Sequence, residues 1–379
     1  MNMKKIKLYS FLLFLCVGLA ACYGDDDIDE IEGYNLVEFE FPQGNDPWDK
    51  EIEQIAKDWG MYIIYKDVSV ADLNKGWTHN GSNAPVYACT APTGEQVQEY
   101  LKLVKDWLLS SLDKTKEEDR KQLPFYFYLV NDFHDSNPNS PTFDEYTMLK
   151  QDGMDYWSLS FKTAELEAGL TKQQKHTVAC AFSYPSMKAR LESGEYKVAP
   201  DFAKQTNYED KIGTRYYSME QWLLDNPWAE GQEFLYELIV SPYERDQKNA
   251  YQHRGFFPTV REDFRLATDF EDPYYPVTCG APTWMPWIPF DVMGDEVIDH
   301  NPGPVASTVR ERVLKDFMNT IRYAMIRSRE TILEEFPLDV ENEYARKGHE
   351  TLIAKYDLVV KYMKETYHLD LPKYADLLK

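Results

Sequence analysis

A chain of 379 residues with a formal net charge of −23 has room for one large domain or two ordinary ones, and its acidity argues against nucleic acid as a partner. Aromatic residues make up 15% of it, 27 of them tyrosine, a usage that suits a packed core and also surfaces that offer an apolar face with a polar tip. The five cysteines include no Cys-x-x-Cys knuckle, so neither a disulfide framework nor a cysteine-cage metal site is expected.

At the N-terminus Lys4, Lys5 and Lys7 precede an apolar stretch over residues 8–20. It is short for a bilayer span and has no stop-transfer flank, so residues 1–21 read as a signal peptide. Its end, Leu19-Ala20-Ala21-Cys22, resembles the bacterial lipobox, in which small residues fit the lipoprotein signal peptidase and the cysteine thiol accepts lipid. Cys22 is therefore the expected lipidation site, carrying palmitate-type acyl chains, and the mature N-terminus; an ordinary cysteine behind a conventional cleavage site is the alternative. Asp25, Asp26, Asp27, Asp29, Glu30 and Glu32 follow, making residues 22–44 an acidic tether with little to bury. A short acidic run behind a lipidated cysteine resembles the surface-export signal of Bacteroidetes lipoproteins. It implies a lipid-anchored protein on the outer face of the outer membrane, with a linker facing the periplasm as the alternative.

The folded part is expected over residues 45–379. Asp46 and Pro47 start a helix that Gly60 closes after Trp59, with Asp46 as N-cap and Pro47 at the first helical position; a short strand follows at 61–65. Thr93 and Gln96 form a capping box for a helix that ends near Asp113. The aromatic run 124–130 reads as a buried strand and 156–161 as another. Thr171 with Gln174, Ser218 with Gln221, and residues 230–241 then predict helices. Seven prolines between 272 and 304, interleaved with Tyr274, Tyr275, Trp284 and Trp287, predict a long ordered loop. Two amphipathic helices, about 307–336 and 339–367, close the chain. Strands early and helices late make this an α+β order.

Motifs for chemistry are scarce. No glycine-rich phosphate loop and no Gly-x-Ser-x-Gly elbow occurs. None of the seven histidines is spaced i, i+4 from another, which excludes the helical His-Glu-x-x-His frame that holds zinc. His349-Glu350 begins such a frame, but Ile353 stands where the second histidine belongs, so it reads as a helix-surface pair. Asn131, Asp132, His134, Asp135, Asn137 and Asn139 could offer oxygen ligands to a hard cation but lack the glycine and closing glutamate of an EF-hand; a polar turn is the simpler reading. Asp291, Asp295, Glu296, Asp299 and His300 read as a solvated acidic loop. Pairs of carboxylates for glycoside hydrolysis have no handle among 64 acidic residues.

Three segments together resemble the zinc-binding metallopeptidase lipoproteins that Bacteroidetes encode beside SusC/SusD-type nutrient-uptake systems. They are the helix-strand unit from Asp46-Pro47-Trp48 to Tyr62-Ile63-Ile64-Tyr65, the helix 97–112 with the strand 125–130, and the closing Leu352-Ile353-Ala354-Lys355-Tyr356, Val360-Lys361-Tyr362-Met363 and Leu369-Asp370-Leu371. The resemblance implies a zincin-like α+β fold. In that family the zinc helix follows the early strands, and about 172–190 stands in its place here, reading His176-Thr177-Val178-Ala179-Cys180-Ala181-Phe182-Ser183-Tyr184. Ala, Cys, Phe and Ser occupy the ground of two histidines and a glutamate. The stretch Gln232-Glu233-Phe234-Leu235-Tyr236-Glu237 resembles the family's acidic segment, which makes Glu237 a degenerate metal-site position. One carboxylate does not hold catalytic zinc without partners, so the expectation is a pseudoenzyme with no metal, no cofactor and no catalytic residue. It would act by binding a peptide or glycan beside a SusC/SusD-type complex. The alternative is a glycan-binding surface lipoprotein whose Tyr274, Tyr275, Trp284 and Trp287 stack on sugar rings; an active hydrolase with a non-standard site ranks below both. A single disulfide among Cys89, Cys180 and Cys279 stays open.

Overall fold

The structure is a computed structural model and describes residues 37–75, 81–153, 155–212, 223, 230–231, 248–262, 264, 281–286, 290–291, 297–298 and 306–379. Met1–Phe41 and Pro42–Lys379 are two units, and everything below concerns the second.

Helix α1 (Pro47–Trp59) starts as its residues dictate. The Asp46 amide donates to Asp49 Oδ2 at 2.9 Å, Pro47 supplies a preset φ, and Gly60 closes the helix at φ 71°, left-handed geometry that glycine adopts without a Cβ clash. The buried Asp49 carboxylate also accepts the Tyr65 hydroxyl at 2.6 Å, which in turn receives Trp48 Nε1 at 3.1 Å. These bonds tie α1 to the end of β1 (Tyr62–Ile64). A four-residue α2 (Val70–Leu73) and β2 (Tyr87–Thr90) precede α3 (Gly94–Leu103), whose Thr93/Gln96 capping box forms as predicted and whose line continues through a π turn and a 3-10 turn to Ser111.

After the short α4 (Glu117–Arg120), β3 (Tyr126–Asp135) is the centre of a five-stranded mixed sheet. β1 runs parallel to its first residues and β2 antiparallel to its last, while β5 (Tyr156–Phe161) runs parallel on the main path and β4 (Leu149–Lys150) is antiparallel to β5. The near-continuous apolar run of β3 is the pattern of a strand covered on both faces. On one face Tyr126, Tyr128 and Tyr156 form a ladder of stacked rings. On the other, Phe127 meets Phe182 edge-on at 6.0 Å, and Tyr100 of α3 receives the Phe161 amide while donating to the Val130 carbonyl.

β3 is longer than expected, and this corrects both readings of residues 131–135: the segment is strand, neither a polar turn nor a cation loop. Its carboxylates are already occupied by protein donors. Asp132, at φ 54°, accepts from Thr163 N and Oγ1 and from Thr90 Oγ1 at 3.0, 2.6 and 2.9 Å. Asp135 accepts from Val86 N, Asn137 N and Thr142 Oγ1 at 2.9, 3.0 and 2.8 Å. Burial alone would raise the Asp135 pKa, but these donors win and hold it at about 2.

A short α5 (Thr163–Ala168) leads to α6 (Lys172–Glu192), capped by Thr171 and Gln174 as predicted. α6 is buried on nearly all sides because it lies between the sheet, through Phe182, and the helical core, through Ala179, Cys180, Tyr184, Met187 and Leu191. That core is completed by α7 (Val309–Ile326), α8 (Arg329–Glu335), α9 (Glu343–Tyr367) and α10 (Pro372–Ala375). The predicted single helix over 307–336 is two. Arg327 is extended, and Ser328 restarts the chain by accepting the Thr331 amide. The last long helix starts at Glu343 and not near Asp339, because Asn342 is the residue whose side chain caps two amides, of Tyr344 and Ala345. Within the proline-rich segment, Phe290–Asp291 (β6) and Val297–Ile298 (β7) pair antiparallel, so the expected loop contains a short two-stranded sheet. The helices predicted from Ser218 and over 230–241 lie outside the described residues, apart from isolated positions. The early sheet and mainly helical C-terminal half make the fold α+β, and among the described residues no helix is long and apolar enough to cross a membrane.

Candidate functional site

The part of α6 that faces the helical core brings two metal-ligand residue types together. His176 and Cys180 are one turn apart on the same face, 2% and 0% exposed, with Cys180 Sγ 3.4 Å from His176 Nε2. Between them Thr177 is buried, and its Oγ1 has no hydrogen-bond partner among the described residues. The segment His176-Thr177-Val178-Ala179-Cys180 thus has the spacing of His-Glu-x-x-His, with threonine for the glutamate and cysteine for the second histidine. Comparing histidines only with histidines misses this frame. Cysteine binds zinc as readily as histidine, so a His-x-x-x-Cys spacing on a predicted helix was the available signal.

The pair is committed to the fold. His176 Nε2 lies 2.9 Å from the Met325 carbonyl oxygen; a carbonyl only accepts, so Nε2 carries the proton and donates. Met325 belongs to the last turn of α7, where carbonyls have no partner within their own helix. His176 therefore caps the C-terminal end of α7, while the Tyr323 carbonyl two residues earlier accepts the Arg327 amide at 3.0 Å. Just beyond the helix end, the Tyr356 hydroxyl of α9 donates to the Arg327 carbonyl at 3.0 Å. Three elements are stitched at one helix end.

Electrostatics point the same way. Burial lowers the His176 pKa, the Met325 bond opposes that, and the Arg327 charge lowers it further. Burial alone pushes the Cys180 thiol well above its ordinary value. A zinc ligand set needs a thiolate and an imidazole with a free lone pair directed at the metal. Here the thiol is protonated and the nearer imidazole nitrogen is a donor. Thr177 has no carboxylate with which to activate water. Among the described residues, no three His, Cys, Asp or Glu side chains cluster in a way that could hold a metal ion. The donor set does not fit a catalytic zinc centre.

No family model and no curated protein matches the chain. A crystal structure assigned to a zinc-binding metallo-peptidase of Bacteroides caccae ATCC 43185 is similar over 88% of this chain and 93% of its own, at 12% identity and a TM-score of 0.38.

The remaining sequence candidates fall in different places. Trp284 is 6% exposed and packed in the helical core, with its ring withdrawn from solvent, and its carbonyl accepts the Ala306 amide at 3.0 Å. Tyr274, Tyr275, Trp287, Glu237 and Cys22 lie outside the described residues. The surface reading of His349-Glu350 is corrected for the histidine, which is 3% exposed, bonds the Pro337 carbonyl through Nδ1 at 2.7 Å and meets Phe336 edge-on. Cys89 and Cys180 are both free thiols, so they do not bridge each other; Cys279 lies outside the described residues.

Proposed function

We propose that this protein is a lipid-anchored, surface-exposed outer-membrane lipoprotein with a zincin-like scaffold whose metal site has been converted to a structural joint, and that it works by binding a peptide or glycan beside a nutrient-uptake complex. The observation that carries the loss of catalysis is the hydrogen bond from His176 Nε2 to the Met325 carbonyl, which removes the one imidazole left in the metal frame. Cys180 and Thr177 supply neither the second imidazole nor the carboxylate. The lipobox ending at Cys22 and the acidic tether behind it support the anchored location.

Three measurements test the parts of this proposal separately. Purified protein is expected to contain far less than one zinc per chain by elemental analysis and to show no peptidase activity that a chelator removes; stoichiometric zinc with chelator-sensitive cleavage overturns the inactive site. Cells fed labelled palmitate are expected to label the wild-type protein and not Cys22→Ser. External protease is expected to degrade the wild-type protein on intact cells; resistance there, with palmitate labelling intact, overturns the surface-exposed location alone.

A further inference from the structure

Among the described residues, the polar cluster least matched by its surroundings lies apart from the His176–Cys180 pair. Lys355 on α9 and Asp316 on α7 are both 0% exposed, and Lys355 Nζ is in direct contact with Asp316 Oδ2. Nζ also donates to the Gly255 carbonyl at 2.7 Å, and the Phe256 and Phe202 rings flank it at 5.0 and 5.2 Å. The Tyr208 hydroxyl donates to Asp316 Oδ2 at 2.6 Å. Asp316 Oδ1 has no hydrogen-bond partner among the described residues.

As an ion pair this arrangement is poorly arranged. A buried carboxylate offers about four lone-pair sites to donors, and here one whole oxygen faces none. Desolvating both charges costs several kcal/mol that is recovered only when the remaining lone pairs are satisfied. Burial drives the Lys355 ammonium toward the neutral amine, against the attraction of Asp316. An amine that burial drives toward its neutral form, packed against a carboxyl in a water-excluded core between aromatic rings, is a nucleophile beside an electrophile at very high effective concentration.

We propose that Lys355 Nζ and Asp316 Cγ condense to an intramolecular amide, a self-made cross-link between α7 and α9. The Nζ–Cγ bond forms and the Cγ–Oδ1 bond breaks; of the three protons the pair holds, one stays on the amide nitrogen and two leave with Oδ1 as water. No oxidant or other reactant is consumed. Tyr208 polarises the carboxyl through Oδ2, where negative charge develops during attack, and afterwards donates to the amide oxygen. The amide N–H keeps its bond to Gly255. Of the side-chain atoms in this cluster, the one without a hydrogen-bond partner among the described residues is the atom that departs, so the amide oxygen and N–H of the product both keep partners.

Tryptic digestion of the denatured full-length protein followed by mass spectrometry tests this. The expected product is a branched peptide joining residues 316–322 to 348–361, lighter than the two linear peptides together by one water and uncut after Lys355. Two separate linear peptides, with cleavage after Lys355, overturn the proposal. Asp316→Asn is expected to give the same branched product through loss of ammonia, and Lys355→Met only linear peptides. Tyr208→Phe is expected to raise the linear fraction; unchanged full linkage in that variant removes the role assigned to the phenol. Because the readout is covalent, a branched peptide absent from a well-folded Asp316→Asn protein also counts against the link.

Discussion

Two buried polar pairs stand in the same helical core and differ in how completely they are satisfied. The His176–Cys180 pair carries no charge, and its one strong donor meets a helix-end carbonyl that needs one. The Lys355–Asp316 pair brings two ionisable groups to zero exposure and leaves an oxygen without a partner among the described residues. Burial penalises the charged form in both, but the outcomes differ with the available partners. Where a neutral donor meets an acceptor, the histidine becomes a structural joint. Where an amine meets a carboxyl with one oxygen to spare, the chemistry itself offers the way out.

Breaking the second pair is expected to have the largest effect. Lys355→Met leaves the Asp316 carboxyl buried with the Tyr208 hydroxyl as its side-chain donor among the described residues, and a cost of about 3–5 kcal/mol is expected from removing one member of a buried pair. The double variant Lys355→Met with Asp316→Leu should recover the part due to the unpaired carboxyl but not the part due to the missing link, as read from urea midpoints. Equal instability of the single and double variants would mean that packing, not the polar groups, sets the cost, and the contrast between the pairs would fail.

A smaller effect is expected where α9 meets the segment around residue 252. A Cβ at Gly348 would come within 2.3 Å of the Gln252 carbonyl oxygen and 2.5 Å of His253 Cα, backbone atoms that cannot swing aside. Gly348→Ala is expected to lose about 1–3 kcal/mol by overpacking, seen as a lowered melting temperature. Because this contact lies two turns from Lys355, it also sharpens the first comparison: losses from Gly348→Ala and Lys355→Met that fail to add would show that one segment, 252–256, transmits both.

Much of the architecture was legible locally. Asp46-Pro47, Thr93 with Gln96 and Thr171 with Gln174 start helices because the capping atoms lie within four residues of what they cap, and such signals survive any tertiary context. The polar end of β3 was not legible. Asp132 and Asp135 are satisfied by Thr163, Thr90 and Val86, partners 31 to 49 residues away in the chain, so a run that looks like a turn is held as strand. Arg327 broke a predicted helix for a similar reason, since its side chain reaches Glu335 at 2.6 Å and its carbonyl meets Tyr356 on another helix. At the candidate site the spacing of His176 and Cys180 was visible, whereas the turn of His176 toward Met325, 149 residues away, depends on how α6 and α7 cross.

The first pair predicts a pH dependence with a definite sign. The ordinary histidine value is 6.5, and burial, less the Met325 bond and with the nearby Arg327 charge, puts His176 below it in the folded state. Between the two values the unfolded chain binds a proton that the folded chain does not, so stability rises with pH there and is lost as pH falls below about 6.5, with a slope of up to about 1.4 kcal/mol per pH unit. His176→Gln keeps an N–H that can reach the Met325 carbonyl but does not titrate. Subtracting its urea stability from that of the wild type at each pH cancels the other histidines, and the difference is expected to shrink as pH drops from about 7 to about 5. A difference that stays flat would mean the folded imidazole takes up its proton as readily as the unfolded one, and an imidazole that charges so easily beside Cys180 would undo its place as a buried neutral donor.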